Sequence, residues 1–148
     1  MLARDIMTMH PSVVTENDTV QHATEVMRDR NVGVLPVVDS LRTRRLAGVI
    51  TDRDILVRCF AQGHTGQCAV RDHMTSKHIE WVLPDTDAVE LVARMKFFGV
   101  RRLPVVDPQR GVVGIVCVPD LALHLQLSEP RLAGEIEDLV LATAATAD

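Results

Sequence analysis

One phrase is written twice in this chain, and nothing else in the sequence limits the fold so tightly. Val34-Leu35-Pro36-Val37-Val38-Asp39 is answered by Arg102-Leu103-Pro104-Val105-Val106-Asp107. Each phrase is followed by a glycine, an apolar run and an aspartate. The first reads Gly48-Val49-Ile50-Thr51-Asp52-Arg53-Asp54 and the second Gly114-Ile115-Val116-Cys117-Val118-Pro119-Asp120. The match extends backwards: Arg4-Asp5, Met7 and Thr8 recur as Arg71-Asp72, Met74 and Thr75, and Met27, Val32 and Leu35 recur as Met95, Val100 and Leu103. The offset drifts between 66 and 68 residues, as small loop insertions between matched elements would cause.

The chain of 148 residues is about one domain long. Copies of roughly 60 residues are marginal alone, so the reading expects them to share one core. It divides the chain into a first copy (1–62), a connector (63–71), a second copy (72–127) and a helical tail (128–148).

Within the first copy, Ser12-Val13-Val14-Thr15 is short and β-branched, a small strand. Asn17-Asp18-Thr19 offers capping side chains to a helix whose apolar face is Val20, Ala23 and Met27. Asn31 or Gly33 ends it, and Pro36 suits a strand entry better than a helix interior. Leu35–Val38 and Leu46–Ile50 form a hairpin across an arginine-rich turn, and Thr51 opens a helix to about Gln62. The second copy repeats this order with strands at 80–83, 103–106 and 112–116 and helices at 88–98 and 118–127. Each copy is therefore β-α-β-β-α, an α+β arrangement with helices on a sheet face. Ala61–Val70, with Gly63 and Gly66, is expected to be mobile. Leu132, Ile136, Leu139 and Val140 give one further amphipathic helix, docked on this chain or on a second one, before a frayed Ala/Thr-rich end.

Thr51-Asp52-Arg53-Asp54 supports two readings. It is a capping box, with Asp54 reaching back to a backbone N–H. It is equally a hydroxyl beside free N–H groups, suited to a phosphate, with a carboxylate one turn in that can accept from ribose hydroxyls. In the second copy the hydroxyl is replaced by Cys117 while Asp120 stays, which favours the ligand reading for the aspartate.

The ordered, duplicated motifs, Met-Thr, then Val-x-x-Leu-Pro-Val-Val-Asp, then Gly-apolar-apolar-Thr-x-x-Asp, resemble a tandem pair of cystathionine-β-synthase (CBS) domains, a Bateman module. The likeness covers about residues 4–127, and the compact form looks like small stand-alone bacterial pairs, including the hypoxic-response type. It implies two copies packed with pseudo-twofold symmetry, clefts binding AMP, ADP, ATP or S-adenosylmethionine, and no chemistry. It further implies that Asp54 and Asp120 bind ribose, that Thr51 touches phosphate, and that Val32-Gly33-Val34 and Val100-Arg101-Arg102 bracket the base. In the family each cleft takes its bracket from one copy and its aspartate from the other. That pairs Val32–Val34 with Cys117 and Asp120, and Val100–Arg102 with Thr51 and Asp54. Arg101 stands where a basic residue reaches phosphate. Cys117 departs from the family's Ser or Thr, and Arg102 is bulky where a small residue admits adenine. The resemblance favours the Asp120 cleft with Arg101 supplying charge, and homodimerisation through helical faces. If both clefts have lapsed, the same pair becomes a protein-interaction module.

Other function classes find little support. A net charge of −4 and a pI near 5.8 disfavour nucleic acid as a partner. Trp81 and Phe97-Phe98 are too few for a stacking platform. No apolar run reaches the ~20 residues of a membrane span. Met1–Asp5 lacks a signal-peptide core, and three cysteines do not form a secreted disulfide framework, so a cytoplasmic setting is expected. No Gly-rich phosphate loop, nucleophile elbow or His-Glu-x-x-His motif is present. The paired methionines Met7/Met74 and Met27/Met95 read as core filler. Cys59, His64, Cys68 and His73 lack the close Cys pairs of structural zinc and straddle the connector, so no metal is assigned to them. They leave open only a metal- or redox-responsive alternative.

Overall fold

The computed structural model describes residues 1–146, and of Leu127 and 142–146 the backbone alone. The chain forms two compact units that interleave along the sequence. One comprises 11–79 and 109–112, the other 1–10, 80–108 and 113–146. They are called here the first-copy and second-copy units.

The first-copy unit contains β2 (Val14–Thr15), α2 (Val20–Arg30), β3 (Val34–Val38) and β4 (Leu46–Thr51). Thr19 caps α2 by accepting from the His22 N–H at 3.0 Å, and Val20, Ala23 and Met27 face the core as their spacing predicts. Asn31 ends α2 in the left-handed region, and the Val32 N–H returns to the Met27 carbonyl at 3.0 Å, closing a Schellman cap. β2 pairs in parallel with β3, and β3 pairs antiparallel with β4 in the register Val34↔Thr51.

The second-copy unit repeats this plan with α4 (Ala88–Phe98), β5 (Arg102–Val106), β6 (Val112–Cys117) and α5 (Val118–Ser128). Its opening strand, expected at 80–83, contracts to a single parallel bridge between Val82 and Val105. The cause is local: the Leu83 N–H is taken by the Thr86 hydroxyl, and Pro84 has no N–H to offer a ladder.

The interleaving comes from the repeated Met-Thr. Thr8, in β1 (Thr8–Met9), pairs with Ile115 of β6, while Thr75 pairs with Val49 of β4. Each copy's lead-in thus pairs with the other copy's hairpin, as the strand β1 in one unit and as a single bridge at Thr75 in the other. This accounts for the matched glycines. A Cβ on Gly48 would lie 2.6 Å from the Thr75 carbonyl oxygen, and one on Gly114 would overlap the Met7 side chain.

The shared core expected from length is replaced by a separate core in each unit. In the first-copy unit Val14, Ala23, Met27, Leu35, Val37, Ile50 and Val70 pack together. The second-copy core is larger. It includes Ala3 and Ile6 of α1 (Ala3–Ile6), Leu91, Met95, Leu103, Leu121 and Leu125, and Leu132, Ile136 and Leu139 of α6 (Pro130–Thr146). The terminal amphipathic helix therefore docks on its own chain. It runs helically to Thr146, and the rest of the expected frayed end lies outside the described residues.

The connector is pinned, not loose. Val20 and Gln21 donate to the carbonyls of Cys68 and Gly66 at 2.8 and 2.9 Å, Val70 donates to Asp18 at 2.8 Å, and the Val70 side chain is buried. The capping groups that start α2 also hold this segment. The predicted helix after Thr51 is present in extent but not in winding. A single α turn, α3 (Asp52–Asp54), passes into a π-helical turn at Ile55–Cys59 and a 3₁₀ turn at Phe60–Gln62.

Candidate functional site

The duplicated aspartates sit where strand becomes helix, because Thr51 and Cys117 are both extended residues preceding a helical turn. At Thr51 the box closes in both directions. Its hydroxyl accepts from the Asp54 N–H at 3.0 Å, and its own N–H donates to Asp54 Oδ2 at 3.0 Å. Thr75 also donates its hydroxyl to Oδ2 at 3.4 Å, while Oδ1 faces the Arg58 guanidinium at 3.7 Å. The Asp54 side chain is 12% exposed.

Asp120 keeps more of its capping role than its sequence context suggests. The Cys117 N–H donates to Asp120 Oδ2 at 3.0 Å. A thiol stands where Thr51 has its hydroxyl, and what the two copies share is the carboxylate half of the box, with one oxygen of each aspartate held by the N–H of the cap residue. Four residues on, where Arg58 stands in the first copy, His124 donates from Nδ1 to the Asp120 backbone carbonyl at 2.8 Å.

The bracket residues lie beside the aspartate-bearing turn of their own copy. Gly33 accepts from the Asp52 N–H at 2.9 Å, and Arg101 accepts from the Val118 N–H at 3.0 Å. Each bracket leaves a Schellman cap, since Val100 donates to Met95 at 3.0 Å just as Val32 does to Met27. Val34 is buried, Val32 is exposed and Gly33 half-buried; Val100 is half-buried, Arg101 and Arg102 exposed. One unit thus gathers Val32, Gly33 and Val34 with Thr51 and Asp54. The other gathers Val100, Arg101 and Arg102 with Cys117 and Asp120. Burial raises the Cys117 thiol, the Asp120 carboxylate adds to the rise, and the neighbouring Arg102 opposes it. A neutral thiol is a weak hydrogen-bonding group, so Cys117 does not replace the hydroxyl of Thr51.

Two contributors escaped the sequence reading. Thr75 had a signal, because it belongs to the repeated Met-Thr. Arg58 had one in its i,i+4 spacing from Asp54. The four set-aside residues gave no usable spacing, yet ligand atoms of Cys59, Cys68 and His73 lie within 4.8 Å of one another. His64 Nδ1 approaches His73 Nε2 to 3.4 Å.

The family model described as "CBS domain" matches residues 3–60 and again 70–126. Hypoxic response protein 1 of Mycobacterium tuberculosis is 35% identical over 123 residues, covering 83% of this chain and 84% of its own. A solved structure of Hypoxic Response Protein I "with two coordinated zinc ions" superposes with a TM-score of 0.76 at 32% identity, over 84% of this chain and 99% of that one. The CBS domain pair of protein MJ0100, in complex with 5′-methylthioadenosine and S-adenosyl-L-methionine, gives a TM-score of 0.74 at 27% identity, covering 85% and 96%. CBSX2 in complex with AMP gives 0.73 at 27%, covering 86% and 98%.

Proposed function

Because the chain belongs to the CBS-domain family, we propose that it is a non-catalytic regulatory module that binds an adenine-containing ligand, AMP, ADP, ATP or S-adenosylmethionine. The observation that carries this reading is the twice-built carboxylate. Asp54 and Asp120 each have one oxygen fixed by the N–H of the preceding cap residue, 3.0 Å away in both copies. A carboxylate held in this way is preorganised to accept from the two hydroxyls of a ribose. Support comes also from two structural neighbours whose bound molecules share the adenosine core.

In this reading Asp54 and Asp120 take ribose hydroxyls, and Thr51 lies nearest the phosphate. Val32–Val34 and Val100–Arg102 flank the base, and the exposed Arg101 gives charge-assisted contact to an anion. The bound ligand favours one conformation by its differential affinity, and a partner protein reads the result. The chain acts in the cytoplasm as a homodimer paired through helical faces. No helix of the described residues is long and apolar enough to cross a membrane.

The test is to denature the purified protein and identify the released small molecule by mass spectrometry, then to titrate the stripped protein with AMP, ATP and S-adenosylmethionine. An adenosine compound, or saturable binding of one of the three, is expected. Neither a released nucleotide nor any binding would reject the proposal and leave the protein-interaction reading.

A further inference from the structure

The two copies differ in chemistry at a place that the nucleotide reading does not use. Sequence offsets match Cys59 to Leu125 and His73 to Ile6. In the second-copy unit Leu125 and Ile6 are buried members of one apolar core. In the first-copy unit the same two places hold a thiol 2% exposed and an imidazole 4% exposed. The fold therefore does not require polar groups there, since its own other half fills the places with hydrocarbon. Cys68 joins them from the pinned connector, and the exposed His64, on the loop between, brings its Nδ1 to 3.4 Å from His73 Nε2.

We propose that Cys59, Cys68 and His73, with His64 as fourth ligand, form a binding site for one zinc ion. Two sulfurs and two imidazole nitrogens are a donor set that selects zinc over the oxygen-seeking cations. Tetrahedral zinc, with bonds of about 2.0–2.1 Å to nitrogen and about 2.3 Å to sulfur, places its ligand atoms ~3.3–3.8 Å apart. The His64–His73 nitrogen separation of 3.4 Å already falls in that range, and the 4.8 Å spread of the other ligand atoms needs a contraction of about 1 Å. Two thiolates neutralise the cation, which suits a buried position.

The backbone around the ligands is tied to itself. His64 donates to the Cys59 carbonyl at 3.0 Å, Cys68 to Thr65 at 3.2 Å and His73 to Val70 at 3.0 Å. Cys59 and His64 also line a groove of about 460 Å³ along α2, which gives an ion a route in. The site has a consequence for Asp54. Cys59 follows Arg58, which faces Asp54 and donates to the Met74 carbonyl at 3.2 Å; His73 precedes Met74 and Thr75, and Thr75 donates to Asp54. An ion joining Cys59 to His73 fixes both segments that hold that carboxylate.

The test does not depend on nucleotide binding. The reduced protein is stripped with chelator, reconstituted with zinc, desalted and analysed for metal; one equivalent per chain is expected. Cobalt(II) in place of zinc should give the intense visible absorption of a tetrahedral thiolate site. Cys59→Ser with Cys68→Ser should abolish both signals, and His64→Asn should weaken zinc binding roughly tenfold or more. Cys59→Leu with His73→Ile installs the pair that the second copy already buries, so it should fold, by circular dichroism, and bind no zinc. Failure of the reduced wild-type chain to retain zinc overturns the proposal, as does retention of zinc by the Leu/Ile variant. A Cys59–Cys68 disulfide that forms in air while zinc is refused after reduction overturns it too.

Discussion

Thr51–Gln62 and Cys117–Ser128 occupy matched places in the two copies and are wound differently. The second is a regular helix that buries Leu121 and Leu125 on one face. The first has one α turn, then a π turn that buries Cys59 and leaves Leu56 and Val57 exposed, and then a 3₁₀ turn whose Phe60 is exposed. The difference follows what each helix packs against. The second-copy helix lies on a large apolar core that includes α6, where leucines at i,i+4 set a standard winding. The first-copy segment has a thiol at the place of Leu125, close to Cys68 and His73, and single π turns are frequent at functional sites. A duplicated sequence has kept its cap and its sheet and let the helix behind the cap diverge.

This contrast can be broken by mutation. Leu125→Ala removes a fully buried side chain from the larger core and should cost about 3 kcal/mol, read by denaturant unfolding. Next come the glycines under the swapped strands. A methyl on Gly48 meets a backbone carbonyl, whereas one on Gly114 meets a methionine that can turn aside. Gly48→Ala should therefore cost about 2 kcal/mol and Gly114→Ala about 1 kcal/mol or less. Equal costs would mean that the two lead-ins are held alike, against this contrast.

The caps give a smaller and more diagnostic pair. Thr51→Ala should lose about 1 kcal/mol, while Cys117→Thr should gain about 0.5–1 kcal/mol by restoring the missing hydroxyl. Cys117→Thr also carries a pH signature. The folded state holds the Cys117 proton in a range where the unfolded chain releases it, because burial raises this thiol. Stability is therefore complete below the ordinary thiol range and declines as pH rises through it. Comparing unfolding of wild type and Cys117→Thr across that range should show a shallower decline in the variant. The smallest effect belongs to Arg58→Ala. Its ion pair with Asp54 spans 3.7 Å and the arginine is half exposed, so the change should stay within about 0.5 kcal/mol.

Local chemistry made much of this legible in advance. Thr19, Asn31 and the period of Val20, Ala23 and Met27 specified α2, and Pro36 and Pro104 marked strands that both exist. The cap at Thr51–Asp54 was readable because its two partners are three residues apart. What lay hidden depended on contacts distant in sequence. No local pattern shows that Met7 and Met74 cross to the opposite hairpin, although Gly48 and Gly114 were waiting for them. Gly63 and Gly66 suggested a mobile connector because the N–H groups that hold it belong to Val20 and Gln21, some 45 residues away. The Cys/His group was missed for the same reason: its spacing fits no zinc motif, and only the pinned connector brings the ligands together.

The central claim is that both cap-bound carboxylates grip an adenosine ligand. Calorimetric titration of AMP into stripped wild type, Asp54→Ala, Asp120→Ala and the double variant tests it most directly, with circular dichroism confirming that each folds. Wild type should bind, at least one single variant should lose about tenfold or more in affinity, corresponding to about 1.4 kcal/mol, and the double variant should not bind. Unchanged affinity in the folded double variant would contradict the claim.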